Sequence, residues 1–239
     1  MQQAYDSLPQ DYMGYRRVTS AMGGGRVGVL CLEAFYLKYT GTACGPRDNM
    51  EWFKIPAGFL STATSGEVFM DNLGRFSEIR AKLKSFYPED VLKKKLAAKC
   101  ALMAQSGQYN YMRCMKRGDS QAAYLACAEF IKHAMAACYL LNEEYMPYYK
   151  WVFRGADKFH ILKETVEKLR EIALLPDTAE NAKRKEELIE SVSKDVGREL
   201  NRRGFTRTTE PFLQVHGEEL MRRIKDSRLA NMHIMVDFD

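Results

Sequence analysis

Ala123-Tyr-Leu-Ala126-Cys127-Ala-Glu-Phe130-Ile-Lys-His-Ala134-Met-Ala-Ala137-Cys138-Tyr-Leu-Leu141 is the stretch that decides the fold class. Its apolar residues at 123, 126, 127, 130, 134, 137, 138 and 141 recur at i, i+3, i+4 and i+7, the period of one helix face held for five turns. Small residues on that face permit close approach of a neighbouring helix. The same period appears on both sides. Leu92, Leu96, Cys100 and Met103 mark a helix that opens after Pro88, with Glu89 and Asp90 complementing its positive end. Leu162, Val166, Leu169 and Ala173 mark another, which stops before Pro176. Ile189, Val192, Val196 and Leu200 mark a fourth, with Gly204 as a left-handed cap. The last is predicted to start from Thr209 as N-cap, with Pro211 in its first turn, and to run through Leu213, Leu220 and Ile224.

Residues 1–75 read differently and hold ten of the sixteen glycines. Val27–Leu30 and Glu67–Met70 are predicted as short strands, with a two-turn helix over Leu32–Tyr39 ending at Gly41. Such a segment has too few strands to close a core alone. The expected fold is therefore mainly α: a bundle of about five helices over 76–239, preceded by a small incomplete α/β segment over 1–75.

Composition narrows the function classes. Hydrophobic residues make up 46% and charged residues 28% of the 239, which excludes a disordered or low-complexity polymer. No apolar run approaches the ~18 residues of a membrane span, and the N-terminus lacks a basic and then apolar leader, so a cytoplasmic address without membrane contact is expected. The six cysteines form no C-x-x-C pair, and reduced, structural thiols are expected rather than a zinc site. Net charge is +5, yet residues 75–118 alone carry eleven basic side chains against three acids. A concentrated positive zone attracts phosphate-bearing partners. Within it, Lys93-Lys94-Lys95 is read as a solvated helix face.

Gly23-Gly-Gly-Arg-Val-Gly28 spells G-x-G-x-x-G, but the expected strand follows the glycines instead of preceding them, so a flexible connection is the reading. Asp237-Phe-Asp239 alternates two carboxylates as a metal-bearing strand would, and is read as a frayed acidic tail. Arg154 and His160 have the residue types a helical ribonuclease presents to a phosphodiester. Two dense blocks mix amides, cations and aromatics. One runs from Gln105 through Gln108, Tyr109, Asn110, Arg113 and Arg117 to Asp119, in an expected loop; the other runs from Asn142 through Tyr145, Tyr149, Lys150 and Trp151 to Arg154. Both sit at inter-helix corners, where antiparallel packing is expected to bring them together. Guanidinium and ammonium groups suit phosphate oxygens, and tyrosine and tryptophan can stack on a base. Read as packing, the same residues fill a bundle corner, with Asp119 paired to Arg117 or Arg113.

Several of these strings together resemble a known family. F-x-D-x-L-G-x-F-S-x-I-R (69–80), F-Y-P-E-D-V (86–91), G-Q-Y-N-Y-x-R (107–113), K-R-G-D (116–119) and L-L-N-x-x-Y-x-P-Y-Y-K-W-x-x-R (140–154) resemble DUF4037, whose members are similar to polymerase-β-type nucleotidyltransferases. That resemblance implies that 1–75 is the tail of a transferase domain and that the helices close over nucleotide and acceptor. It implies triphosphate contacts from Lys150 and Arg117, stacking by Tyr149, and orientation of acceptor or loop by Gln108, Asn110 and Asp119. Arg113 and Arg154 join that nucleotide-binding set, and Arg80 falls at the domain junction. The family's G-S turn and acidic pair, which would hold Mg2+, is not found in residues 1–75. Asp71 and Glu33 are weak stand-ins, so this chain is expected to bind a nucleotide triphosphate or other phosphate-bearing ligand without itself transferring it, and to carry no cofactor of its own. The alternatives are an RNA-binding or ribonuclease-like module using Arg154 and His160, and a structural interaction domain that pairs with a second copy.

Overall fold

A computed structural model describes residues 1–17 and 28–239. The glycine run Gly23–Gly25 and Val27 lie outside them, and the rest of the expected first strand, Gly28–Leu30, is described and is not a strand. Short pieces come first: α1 (Gln2–Asp6), a two-stranded antiparallel hairpin of β1 (Asp11–Tyr12) and β2 (Tyr15–Arg16), then α2 (Leu32–Thr40), α3 (Asn49–Lys54), α4 (Ala57–Thr64) and α5 (Arg75–Lys84). As expected, α2 stops at Gly41, whose φ of 74° is the left-handed conformation that ends a helix. Glu67–Met70 is not a strand. It has no partner to pair with among the described residues and runs exposed, with Phe69 93% accessible.

From Glu89 the architecture is the expected bundle. It comprises α6 (Glu89–Met103), a π-helical turn over Ala104–Tyr111, α7 (Met112–Lys116), α8 (Ser120–Leu141), a short α9 (Val152–Gly155), α10 (Lys163–Leu174), α11 (Ala179–Arg202), α12 (Leu213–Arg222) and α13 (Ser227–Ala230). With 65% of the described residues helical and a single two-stranded sheet among them, the class is mainly α. α6 is the axis, packed by α8 on one side, α12 on another and α3 on a third. Val91, Leu96, Ala97, Cys100, Ala101 and Met103 are all inaccessible to solvent. One continuous core runs from Tyr36 in α2 to Leu229 in α13.

Two boundaries differ from the sequence reading. Helical structure does not break at Gln105; it continues through the π turn and α7 to Gly118, whose φ is 74°. The last long helix starts at Leu213 instead of after Thr209, because Glu210 precedes a proline and is pushed towards extended backbone. Its first turn is capped from another element: Gln108 Oε1 accepts the Leu213 N–H at 3.0 Å. Each of the six cysteines is a free thiol, and Cys100, Cys127 and Cys138 are buried. No helix among the described residues is long and apolar enough to cross a membrane.

Candidate functional site

Three consecutive residues on a helix cannot share a face, because each step turns the side chain by about 100°. Lys93, Lys94 and Lys95 accordingly leave α6 in different directions, and none is solvated. This overturns their reading as an exposed face. Lys93 Nζ reaches Glu89 at 2.6 Å and donates to the Arg223 carbonyl at 3.2 Å. Lys94 Nζ donates to the carbonyls of Ile234 and Val236 at 3.0 and 2.7 Å. Lys95 Nζ donates to Asp237 Oδ1 and Asp239 Oδ2, both at 3.1 Å. Lys99, one turn on from Lys95, places its Nζ 2.6 Å from Asp237 Oδ2.

The Asp237–Asp239 segment is thus no frayed tail. Both carboxylates are buried to within 5% of complete, and the Ala57 N–H at the start of α4 donates to Asp239 Oδ1 at 2.6 Å. Residues two apart in an extended chain are about 6.6 Å apart, and residues four apart on a helix rise about 6 Å, so the two acids match Lys95 and Lys99. Phe238, between them, sets its ring edge-on against Phe53 at 5.4 Å. Lys95 Nζ lies 5.3 Å from the Tyr87 ring centre and 5.6 Å from that of Phe53, a distance at which an aromatic face attracts a cation.

The pocket is electrostatically unbalanced, since three ammoniums face two carboxylates. Burial pushes Lys94 down to about 8, against the pull of Asp237. Burial alone would also depress Lys95, yet Asp237 and Asp239 reverse this and raise it. Burial would raise Asp237, but Lys95 and Lys99 hold it well below the usual carboxylate range. Two polar groups here lack partners among the described residues: the Tyr87 hydroxyl and His133 Nδ1.

His133 adds a pH dependence. Burial, then Lys99 and Lys132, depress it to about 3, against Asp237 and Asp239. The unfolded chain therefore takes up the imidazole proton first, and stability falls as pH drops from 6.5 towards 3. Between pH 8 and pH 5 the loss is expected to be at most about 2 kcal/mol, because Glu129 Oε2, 3.1 Å from His133 Nε2, favours the protonated ring; chemical denaturation follows it. His133→Gln should flatten that limb, while the loss due to Asp237 begins only below about pH 4. An unchanged slope in His133→Gln would refute the assignment.

The sequence-predicted site residues fall into separate groups. α8 holds the two polar–aromatic blocks apart: with 22 residues it is about 33 Å long, one block at its start and the other at its end. Antiparallel packing of α6 on α8 keeps successive corners at opposite ends, so the expected juxtaposition does not occur. At the first end, Gln108 donates to Glu190 at 2.8 Å and to the Pro211 carbonyl at 3.0 Å. Arg113 lies over the Tyr109 ring at 4.5 Å, Asn110 is half-buried, and Arg117 is exposed. Asp119 pairs with neither arginine; it caps α8 by accepting the Ala122 N–H at 2.9 Å.

At the other end, Tyr145 is buried and donates to the Leu83 carbonyl at 2.6 Å, whereas Tyr148, Tyr149 and Trp151 form an exposed ledge. The Tyr148 and Tyr149 ring centres are 4.4 Å apart. Lys150 Nζ and Arg154 Cζ both approach the Trp151 ring, at 5.6 and 5.7 Å. The ledge adjoins the lysine pocket through the first turn of α4. Ala57 holds Asp239, and a Cβ on Gly58 would stand 3.9 Å from the Tyr148 backbone nitrogen. His160 is exposed in the loop before α10. Arg80 is buried and donates to the Ser65 carbonyl at 3.0 Å and to the Gly66 carbonyl. Asp71 accepts the Ser77 N–H at 2.7 Å, and Glu33 pairs with Arg75 at 3.1 Å; Asp71, Glu33 and Arg75 line one depression with Leu32 and Met70.

Residues 52–152 match the family model of DUF4037, a domain of unknown function. This segment is a DUF4037 domain. It contains α4, Tyr87, the four lysines of α6, His133 and the ledge as far as Trp151, whereas Arg154, His160 and Asp237–Asp239 lie beyond it. Among the curated proteins and the solved structures, nothing gives a significant match.

Proposed function

We propose that the DUF4037 domain of this protein binds a nucleotide, with the base on the ledge of Tyr148, Tyr149 and Trp151. The observation that carries this reading is the exposure of three aromatic rings at one corner, with Lys150 and Arg154 beside Trp151. Large rings left in water at one place are costly unless a partner covers them, and rings flanked by cations suit a flat base that carries phosphate. The sequence resemblance to nucleotidyltransferases supports the same reading: these helices are the nucleotide-binding part of a transferase-like protein. No transfer step is assigned to the side chains described above.

Calorimetry with ATP and Mg2+ tests it. Stacking on an aromatic side chain contributes about 1–3 kcal/mol per base, so Tyr149→Ala is expected to weaken binding about tenfold. Lys150→Ala should weaken it less, since an exposed charge contributes little. Equal ATP affinity in the parent protein and Tyr149→Ala would overturn the reading.

A further inference from the structure

We infer that Lys94, Lys95 and Lys99, with the Ala57 N–H, form a binding site for a di- or triphosphate group, which the chain's own Asp237 and Asp239 fill in this structure. The site goes beyond the stacking ledge and stands on different residues.

The first ground is the donor excess. Three ammoniums, each with three N–H donors, face two carboxylates, and Lys94 finds only main-chain carbonyls. Lys99 is 1% exposed and pairs with Asp237 Oδ2 at 2.6 Å, while Asp239 Oδ2, at 3.6 Å, lies beyond hydrogen-bond distance of it. The buried Tyr87 hydroxyl is unpartnered, and Asp237 and Asp239 act on it electrostatically. Such a group costs free energy when buried unmet. A phosphate chain brings more oxygens and more negative charge than two carboxylates, so it satisfies what the aspartates leave open.

The second ground is how the segment is held. Among the described residues, the hydrogen bonds that tie 234–239 to the body run from Lys94, Lys95 or Ala57, and none is a strand ladder. The segment has no regular structure, and Phe238 is 45% exposed. Displacing it breaks contacts to the site's own donors, together with the Phe238–Phe53 ring contact and the packing of Ile234 on the core. The donors lie within the DUF4037 domain, and the carboxylates that cover them come from outside it. The acidic segment therefore acts as an internal competitor, and the ligand binds by displacing it.

Tripolyphosphate, which has no base, is the probe. Added to the full chain, it should raise amide hydrogen exchange at 234–239 while leaving α8 protected. The double variant Asp237→Asn, Asp239→Asn should bind it at least tenfold more tightly than the parent, and should regain with it the thermal stability lost on substitution. Phe238→Ala, which keeps every charge, should also bind it more tightly and serves the same test if the double variant does not fold. Lys99→Gln should abolish the gain. Unchanged exchange at 234–239, or equal affinity in the parent and Phe238→Ala, would overturn the inference. ATP separates the sources: if it binds no better than tripolyphosphate but still displaces the segment, the ledge reading fails and this one stands.

Discussion

Lys95→Met is expected to lower the melting temperature by about 10 °C. The side chain is fully buried, and its ammonium lies between Asp237, Asp239 and the faces of Tyr87 and Phe53. Methionine fills similar space but leaves two buried carboxylates with Lys99 and two backbone N–H groups, those of Ala57 and Phe238, to meet them. Breaking a buried ion pair from one side costs about 3–5 kcal/mol, which for a domain of this size is about 2–4 °C per kcal/mol. Lys158 is the control. It approaches Glu144 at 2.6 Å, but both side chains are exposed, so Lys158→Met should shift stability by less than about 0.5 kcal/mol. The sign with pH follows from Lys95 binding its proton more tightly when folded. Its contribution is complete at neutral pH and is lost only as pH rises past the ordinary lysine value of 10.5 towards its raised one. Thermal denaturation of the two variants at pH 7 decides the matter: equal shifts would mean that burial does not set the strength of the Lys95 pair.

The pairing that makes Lys95 so consequential joins residues 142 positions apart, and this is why the sequence hid it. Periodicity reports which face of a helix is apolar, and on that basis α8 and α10 are legible to within a few residues and α11 over its second half. It reports nothing about what approaches a charged position from a distant segment. A run of three lysines still carries a warning, since consecutive helical positions point to different sides and a central helix must bury some of them. The acids at 237 and 239 were readable as one face of an extended strand, but their partner was not. The ledge residues were legible as a polar–aromatic block, because exposed aromatics beside cations need no long-range contact to be seen. Their neighbour across the fold, the first turn of α4, could not be named, because a helix of eight ordinary residues carries no sequence sign of what its first N–H groups face.

Gly107 is the second position where a small change is expected to have a large effect. In mid-helix, glycine is worth about 1 kcal/mol less than alanine, so by propensity alone Gly107→Ala would stabilise. The structure predicts the opposite. A Cβ built on Gly107 would stand 2.3 Å from Phe130 Cδ2 and 2.8 Å from Cε2 and Cγ, well inside any real contact. Phe130 is fully buried on α8 and cannot swing aside, so the π turn and α8 must separate. Overpacking of this kind costs about 1–3 kcal/mol, occasionally more. A double-mutant cycle tests the contact. Phe130→Leu alone loses ring volume from the core; combined with Gly107→Ala, it makes room for the added methyl, so the pair should be at least about 1 kcal/mol less destabilised than the sum of the single variants. Strict additivity, measured by urea denaturation, would mean that the ring does not press on this glycine and that its place in the G-Q-Y-N-Y string has another cause.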